Sequence, residues 1–563
     1  MCHYSYVTKL LKPSLIVGIV LIVLLALPGI WDLFKPGYYS SHDGVGHVIR
    51  MDEFYHAFID GQIPVRWSKR LYFGYGYPFF NFNYPLVYYL GLPLMLLGFA
   101  AEIAMKAETM GMFVLSGILM FLYLVRKVRF PFAVLGAVLY LYAPYRMSNM
   151  YVRGSVAEAM AFIYPPLLLW CAELLSGNSR KSIFFAALVI GFLGFSHNIS
   201  ALLLYGFFFF YLFILALQRR SVGPLVKGGI SFGLGLLMAG FFFIPALTEK
   251  KLTFLDQTIA RDYPDHFLEW YQLIKGGWGF GGSVRGPNDG MSFNLGWIHV
   301  GLAVLAIVFL IRNLRRLKHL SNLGLVSFCL IIIAGSIFFM LPVSKLLWDK
   351  LPLLPFVQFP WRFTMLTVPV FAVLGAIGVE EVFRKIGKIR ELGVIVLISL
   401  TLFLAKDQWH RNQTEYVHEI SGDALEGTTT WAGEQATKWL VPKPNRIPQA
   451  KVEGIGEIGG YGRLNILSWK TGYHQYQIQV GKDGKLVEHT MYYPGWKVWV
   501  DGQEAIVDYQ DKHYPGQLVF PVPRGSHLIV SKFTETPQRF TFDIISLITF
   551  ALLIIGLWKF RRG

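Results

Sequence analysis

Apolar residues recur in long blocks along this chain, and short polar segments separate the blocks. Twelve blocks approach the roughly 20 residues that a helix needs to cross the ~30 Å apolar core of a bilayer. They predict twelve membrane-spanning helices, at about residues 13–31, 107–125, 131–147, 159–176, 182–198, 199–217, 224–246, 294–311, 322–341, 363–381, 391–406 and 542–558. No convincing small-residue cleavage site follows the first block, which therefore predicts a retained helix rather than a removed signal peptide.

A thirteenth apolar block, 85–104, contains two prolines and two glycines before its end. Its placement decides on which side of the membrane the basic clusters lie. If the N-terminus is cytoplasmic and 85–104 does not cross, every cluster is cytoplasmic, as topology signals require. If 85–104 crosses, every cluster lies outside. The pattern therefore predicts that 85–104 is a juxtamembrane or re-entrant element and that both termini are cytoplasmic. The basic clusters, all on the cytoplasmic side in this prediction, are 126–129, 179–181, 218–220, 312–319, 384–390 and 559–562.

One long region, 407–541, has the composition of a soluble domain. Its runs of alternating polar and apolar residues, such as YQIQV and KVWV, are typical of short strands. Turn sequences such as KDGK and PRGS separate them. We expect a β-sandwich over 466–540 on the outer face, giving a transmembrane domain at 1–406, a mainly β domain at 407–541 and a final helix at 542–563.

The composition supports an α-helical polytopic membrane protein. Hydrophobic residues make up 54% of the 563 residues and charged residues only 15%, whereas soluble proteins carry about 25%. The net charge of +17 sits in the short clusters between apolar blocks, which favours a topology signal over nucleic-acid binding. Three scattered cysteines predict neither a disulfide framework nor a zinc site.

Ionisable residues gather in the predicted outer loops 32–84 and 147–158. Asp43 and Glu158 lie a few residues from spanning helices, with Arg153 nearby, so all three are expected to face one cavity at the outer surface. A carboxylate that accepts a hydroxyl proton and a cation that stabilises a departing phosphate would explain this set. Arg362, and Arg261 near the outer loop 247–293, are further candidates for the phosphate.

Each of these residues also has a simpler interpretation. Asp43 followed by glycine is typical of turns, and Glu158 suits the start of a helix. The arginines suit anchors that reach the lipid headgroups. A metal site from His42, His47, His56 and Asp52 is an alternative, although their segment equally predicts an amphipathic helix with a solvated polar face.

Several motifs resemble the GT-C glycosyltransferases, integral membrane enzymes that take a sugar from a polyprenyl-phosphate carrier. They are the early acid of the first outer loop, GQIPVRW, GYGYPFFNFNYPLVYYL and YVRGSVAE. The C-terminal YYPGWKVWVDGQEA and VPRGSHLIVSKF resemble the outer domain of bacterial YfhO-like proteins of that superfamily. The resemblance implies that Asp43 is the catalytic carboxylate, with Asp52 the next candidate for that role. Glu158 would be the second acidic residue of the site. His42, Arg66 and Trp67 are added as substrate-binding candidates.

The resemblance further implies a cell-envelope enzyme of the bacterial cytoplasmic membrane, active on its outer side. Its partners would be the bilayer, a polyprenyl-phosphate sugar and an acceptor glycan, polymer, lipid or protein, with no nucleic acid. No cofactor is assigned, and a need for Mg²⁺ or Mn²⁺ is left open because the superfamily varies. The alternatives are a lipid or glycolipid transporter and a non-catalytic envelope assembly protein.

Overall fold

The computed structural model describes residues 13–258, 262–312, 322–384, 389–415, 433–455 and 464–559. Its main helices, in chain order, are α1 (Pro13–Ile30), α2 (Gly44–Ile59), α3 (Leu86–Leu96), α4 (Ala101–Leu124), α5 (Phe130–Leu141), α6 (Val156–Ala161), α7 (Tyr164–Leu175), α8 (Lys181–Gly194), α9 (Asn198–Arg219), α10 (Gly223–Met238), α11 (Gly240–Glu249), α12 (Trp297–Arg312), α13 (Leu323–Met340), α14 (Thr364–Phe383), α15 (Ile389–Ala405) and α16 (Pro537–Lys559). Short helical turns connect several of them, among others at Phe79–Phe82, Pro144–Met147, Ser148–Arg153, Leu354–Val357 and Pro360–Phe363.

Within the described residues, seven helices are long and apolar enough to cross a membrane, and a bent pair makes an eighth candidate. The seven are Pro13–Phe34, Ala101–Leu124, Val156–Leu175, Asn198–Arg219, Leu323–Met340, Pro360–Phe383 and Pro537–Lys559. The prediction of a mostly helical protein with several membrane-spanning helices is confirmed. Each of the twelve predicted segments overlaps one or two helices, and four of the segments correspond to a single helix of only 12 to 17 residues. The number twelve therefore stays a prediction.

Two apolar segments are broken rather than straight. The predicted span 224–246 consists of α10 and α11, which meet at an angle of 74°. Block 85–104 is divided between α3, of 11 residues, and the first turn of α4. At 1.5 Å per residue α3 is only about 16 Å long, which is too short to cross the apolar core. This length is compatible with the predicted juxtamembrane or re-entrant element.

The C-terminal region forms two antiparallel sheets. A five-stranded sheet has the order β4 (Asn465–Lys470), β5 (Tyr473–Val480), β10 (Gly525–Phe533), β7 (Trp496–Val500) and β8 (Gln503–Ala505). A three-stranded sheet has the order β3 (Val452–Ile455), β6 (Gly484–Met491) and β9 (Gln517–Val522). Apolar side chains of both sheets are buried, among them Ile478, Val498, Leu486 and Phe520, so the predicted β region is confirmed. The final helix begins at Pro537, before the predicted residue 542.

A third, very small sheet fixes the first loop. Its strands are β1 (Tyr38–Tyr39) and β2 (Thr414–Glu415), which pair antiparallel. The main-chain N–H of Ser40 extends this pairing by donating to the Gln413 carbonyl at 2.9 Å. The start of the loop 32–84 is thus held by a segment about 375 residues later, just after α15.

Candidate functional site

The Asp43 segment is joined through the main chain to the connection 147–158, the second one that is predicted to lie outside. The N–H groups of His42 and Asp43 donate to the carbonyls of Val152 and Arg153, at 3.1 and 2.8 Å. Asp43 immediately precedes α2, and its side chain is exposed. The two loops that were expected to face one cavity therefore lie side by side, with the Asp43 carboxylate open to solvent.

Gly154 makes this close approach feasible. Its φ of +61° lies in the left-handed region, where a residue with a Cβ is strained. A Cβ there would also collide with Ser41 Oγ and lie 2.9 Å from the Gly44 nitrogen. A larger residue at 154 would therefore separate the two loops, which explains the glycine in the YVRGSVAE motif.

Glu158 lies in the first turn of α6 and is almost completely buried. Its Oε2 accepts a hydrogen bond from Arg153 Nη1 at 2.7 Å and lies 3.7 Å from Arg362 Nε. The Tyr145 hydroxyl donates to its other oxygen. Because both carboxylate oxygens are engaged, Glu158 is placed to hold the two arginines rather than to accept a proton.

Arg362 is buried where the chain enters α14. Its Nη1 donates to the Val357 carbonyl at 3.0 Å and to Gln358 Oε1 at 2.8 Å, and its guanidinium lies over the Phe359 ring at 4.9 Å. The Nε atom has no hydrogen-bond partner among the described residues. This leaves one N–H donor of a buried cation, close to Glu158, for a further group.

Arg50 is a site residue that the sequence interpretation missed. It lies on α2 seven residues after Asp43, which is two helical turns and hence the same side of the helix. Its buried guanidinium lies 4.8 Å from the centre of the Phe79 ring. Burial alone lowers the pKa of Arg50, but the tyrosine hydroxyls around it and the Asp43 carboxylate raise it above its ordinary value. The seven-residue spacing was the signal that would have identified it.

Arg50, Arg153, Arg362, Asp43 and Glu158 form one electrostatic group, which we call the arginine cluster. Asp43 interacts electrostatically with each of the three arginines. Burial lowers the pKa of Arg153, but Glu158 and other neighbours raise it well above its ordinary value, so this cation stays charged. Three guanidinium groups face two carboxylates, leaving one net positive charge. Such a group suits an anion with several oxygen acceptors, such as a phosphate.

Three predicted residues have partners elsewhere. Asp52 pairs with Arg70, and it is nine residues from Asp43 along α2, a rise of about 13 Å. Arg66 is buried and binds Glu535 and Asp543, at 2.9 and 2.6 Å. Trp67 is also buried and packs edge-on against Trp496 in the β domain, with ring centres 5.7 Å apart. Their contacts are those of residues that hold parts of the fold together.

Two further predicted residues complete the set. His42 is exposed, and its Nε2 lies 3.2 Å from the Phe280 carbonyl oxygen in the glycine-rich loop 276–290. The prediction for Arg261 falls outside the described residues.

The alternative metal site is not assembled in the part of the chain that the structure describes. No three His, Cys, Asp or Glu side chains lie together there. His47 contacts the Tyr88 hydroxyl at 3.2 Å, and His56 lies 3.7 Å from Asp52, while His42 is at the glycine-rich loop. The donor set does not fit a resident Mg²⁺ or Mn²⁺.

A family model described as "6-pyruvoyl-tetrahydropterin synthase related domain; membrane protein" matches residues 80–411, more than half of the sequence. The chain belongs to this family. The expectation of an integral membrane protein is thereby confirmed. No curated protein matches the chain.

Two solved structures are similar to this member of the family. The arabinofuranosyltransferase AftD from Mycobacteria has 14% identity and a TM-score of 0.41, covering 70% of this chain and 26% of AftD. ArnT from Cupriavidus metallidurans, bound to undecaprenyl phosphate, has 13% identity and a TM-score of 0.36, covering 69% of this chain and 64% of ArnT. The chain thus spans about a quarter of AftD and less than two thirds of ArnT.

Proposed function

We propose that this protein is a membrane glycosyltransferase that moves a sugar from a polyprenyl-phosphate carrier to an acceptor hydroxyl. The observation that carries the proposal is the exposed Asp43 carboxylate within the arginine cluster, which has a net positive charge. The reaction requires a base for the acceptor hydroxyl and a cation for the departing phosphate. The exposed Asp43 carboxylate and the buried arginines match these two requirements. The sequence resemblance to GT-C enzymes supports the same chemistry.

In the proposed reaction the acceptor oxygen attacks the anomeric carbon of the donor. Asp43 takes the proton of the acceptor hydroxyl as the new carbon–oxygen bond forms. The bond between the anomeric carbon and the phosphate oxygen breaks, and its electron pair stays on the phosphate. The products are the glycosylated acceptor and the polyprenyl phosphate, so atoms and charge balance without a redox partner.

The arginine cluster would stabilise the phosphate as its negative charge grows. Arg362 offers its Nε, which makes no hydrogen bond among the described residues, and Arg50 and Arg153 add positive charge from α2 and from the turn before α6. Glu158 would orient Arg153 and Arg362, both of which contact its Oε2 atom. Because these groups are already buried and fixed, little reorganisation is required during the reaction. Arg261 remains a proposed fourth contact.

We place the reaction at the outer face of a bacterial cytoplasmic membrane, with a cell-envelope molecule as acceptor. The basic clusters support this topology, because all of them are cytoplasmic in it. The same topology leaves both site loops outside. A lipid-borne donor and a water-borne acceptor would meet at this surface, where holding them together supplies much of the rate.

The test uses purified full-length protein in nanodiscs with a panel of radiolabelled undecaprenyl-phosphate sugars. We expect the wild type to release sugar from at least one donor, and Asp43→Asn to be at least about 100-fold slower. The matched control is Asp52→Asn, which should retain most activity. Equal turnover in wild type and Asp43→Asn would remove Asp43 from the mechanism. Parallel reactions with EDTA test whether a divalent ion is required, and release that stops in EDTA would contradict the metal-free step.

A further inference from the structure

The glycine-rich loop 276–290 has a fixed shape that its glycines permit. Gly281 and Gly290 are paired through the main chain, with an N–H to carbonyl distance of 2.9 Å. A Cβ on Gly281 would lie 2.9 Å from Gly290 Cα, and one on Gly279 would collide with the Gly290 carbonyl oxygen. The loop is thus a narrow backbone hairpin that larger residues would force apart.

Side chains anchor the same hairpin. The Gln272 amide donates to Asp289 Oδ2 at 2.7 Å, and the other oxygen of Asp289 accepts the Val284 N–H at 2.9 Å. His266 contacts the Ser283 hydroxyl at 2.9 Å. The loop therefore presents its first residues in a defined position.

Those first residues form an aromatic cluster beside the proposed base. The Trp278 and Phe280 rings meet edge to face at 6.0 Å, and the exposed His410 ring lies 5.8 Å from Phe280. The Phe280 carbonyl contacts His42, which is directly adjacent to Asp43 in the chain. The aromatic cluster, comprising Trp278, Phe280 and His410, is consequently joined to the Asp43 segment by a direct contact.

His410 is held in place from the other side. The next residue, Arg411, donates its N–H to Asp32 and its Nη1 to the Pro36 carbonyl, both at 2.9 Å. The β1–β2 pairing follows directly after it. Three segments distant in sequence therefore bring the aromatic cluster to the same edge of the site.

The chemistry of this cluster differs from that of the arginine cluster. Its rings are only partly buried, and none of its three side chains carries a fixed charge. The buried Trp278 indole nitrogen has no hydrogen-bond partner among the described residues. Aromatic faces pack against the C–H face of a sugar ring, while indole and imidazole groups serve its hydroxyls. A neutral sugar has both a C–H face for the aromatic rings and hydroxyl groups for the polar nitrogens. The negatively charged donor phosphate is matched by the arginines instead.

We infer that Trp278, Phe280 and His410, with His42, form the acceptor subsite and that the acceptor is a neutral saccharide. This inference rests on the proposed function and assigns the acceptor's side of the same site. The sugar would stack on the aromatic cluster, with one hydroxyl directed towards Asp43. In this arrangement the glycine-rich loop has the role of presenting Trp278 and Phe280 to the acceptor sugar.

The test separates donor hydrolysis from transfer. Wild type, Trp278→Ala and Trp278→Phe in nanodiscs receive the active undecaprenyl-phosphate sugar, with methyl glycosides of common hexoses or with hexan-1-ol as acceptors. We expect the methyl glycoside KM to rise about tenfold in Trp278→Ala and less in Trp278→Phe. Donor hydrolysis without acceptor should be unchanged. Trp270→Ala is the matched control, because Trp270 is an exposed tryptophan of the same outer loop that packs on Tyr271 instead.

Several results would overturn the inference. One is an unchanged acceptor KM in Trp278→Ala, and another is loss of donor hydrolysis in that variant. An equal effect on hexan-1-ol would indicate an apolar site rather than a sugar site. Donor hydrolysis by the wild type without transfer to any methyl glycoside would refute the saccharide class and leave the proposed function standing. Absence of all donor turnover would instead refute the proposed function itself, and the subsite with it.

Discussion

At the scale of single residues, the site depends on contacts that leave little space. Gly154 allows the main chains of the Asp43 and Arg153 segments to touch, and Glu158 holds two buried arginines with one carboxylate. Neither is proposed to exchange a proton with substrate. Their contribution is to place the groups that do the chemistry.

Gly154→Ala should therefore reduce activity through geometry. The new Cβ strains a left-handed backbone and pushes Ser41 and the following Asp43 segment away. We expect sugar release to fall by at least about tenfold with helical content unchanged, measured by the nanodisc assay and by circular dichroism. Gly229→Ala is the control, because nothing lies within 4 Å of a Cβ there. Wild-type activity in Gly154→Ala would contradict the assigned role.

Glu158→Gln should affect stability before chemistry. It leaves Arg153 and Arg362 buried without their shared counter-charge, and breaking such a pair costs about 3–5 kcal/mol. The expected result is a lower thermal unfolding midpoint in detergent. Adding Arg153→Gln should recover part of the loss, because one uncompensated charge is then removed. A midpoint equal to that of the wild type would show that the two arginines do not depend on Glu158.

At the scale of elements, α2 aligns residues two helical turns apart, and the β-sandwich brings together residues from its two sheets. One side of α2 places Arg50 two turns from Asp43. In the sandwich, Glu488 of β6 bridges the two sheets. Its oxygens accept from His474 Nδ1 and from Ser531 Oγ, each at 2.6 Å, although Glu488 itself belongs to the smaller sheet.

Glu488 should make the stability of the β domain depend on pH. Burial raises the pKa of this carboxyl, but His474 and the surrounding hydroxyls outweigh burial and hold it below its ordinary value. A pKa lowered on folding stabilises the native state above the unfolded value, about 4.3, and this contribution is lost as the pH falls through the folded value. The thermal midpoint of the wild type should therefore drop below about pH 4.

Glu488→Gln should flatten that decline. At neutral pH the variant should lose about 3 kcal/mol of unfolding free energy, since a buried charged partner is removed. Denaturant or thermal unfolding at pH 7 and at pH 3.5 measures both effects. Glu504→Gln, at an exposed position, should leave the profile unchanged. An identical pH profile in Glu488→Gln would assign the acid sensitivity to other groups.

At the scale of the whole molecule, two buried ion networks join the β domain to the helical part. Arg66 of the first loop binds Glu535 and Asp543 around the start of α16, and its Nη1 donates to the Phe241 carbonyl of α11 at 3.1 Å. Arg539 of α16 binds Glu249 of α11.

The second network also includes the β domain and the first loop. The hydroxyl of Tyr493 and the amide of Asn81 both donate to Glu249, at 2.6 and 2.8 Å. The first loop, α11, the β domain and α16 therefore share buried contacts. This explains why Arg66 and Trp67 lie at an interface rather than beside Asp43.

Arg66→Met should destabilise the protein by about 3 kcal/mol, because it leaves two partly buried acids without their buried cation. Combining it with Asp543→Asn should restore part of the loss, and thermal unfolding of the single and double variants measures the coupling. Arg285→Met is the control, since its pair with Asp265 is exposed and worth little. Additive effects of Arg66→Met and Asp543→Asn would contradict a shared network.

The predicted topology has its own test. In a Cys2→Ser background, Lys497→Cys in the β domain should react with a membrane-impermeant maleimide in intact cells. Arg180→Cys, in a basic cluster predicted to be cytoplasmic, should react only after lysis, and both positions are accessible in the structure. The reverse pattern would invert the topology and move the proposed site to the cytoplasmic side.

The sequence by itself determined the membrane-embedded, helical character of the chain and the existence of its β region. Apolar blocks and alternating runs are local patterns, because burial in lipid or in a sheet core acts on each segment directly. The same locality singled out Asp43, Glu158, Arg153 and Arg362 as candidates, since charged residues near apolar blocks stand out. It did not determine how many blocks cross, because several of the observed helices are shorter than a bilayer is thick.

Only the tertiary structure decided which of these residues meet. The β1–β2 pairing, the Arg66 network and the contact between His42 and Phe280 each join segments far apart in sequence. Such contacts depend on how helices pack and where loops return, which no local pattern encodes. For that reason the sequence singled out neither Arg50 nor the proposed aromatic subsite. Of the candidates that it did name, Arg66, Trp67 and Asp52 have partners elsewhere in the fold.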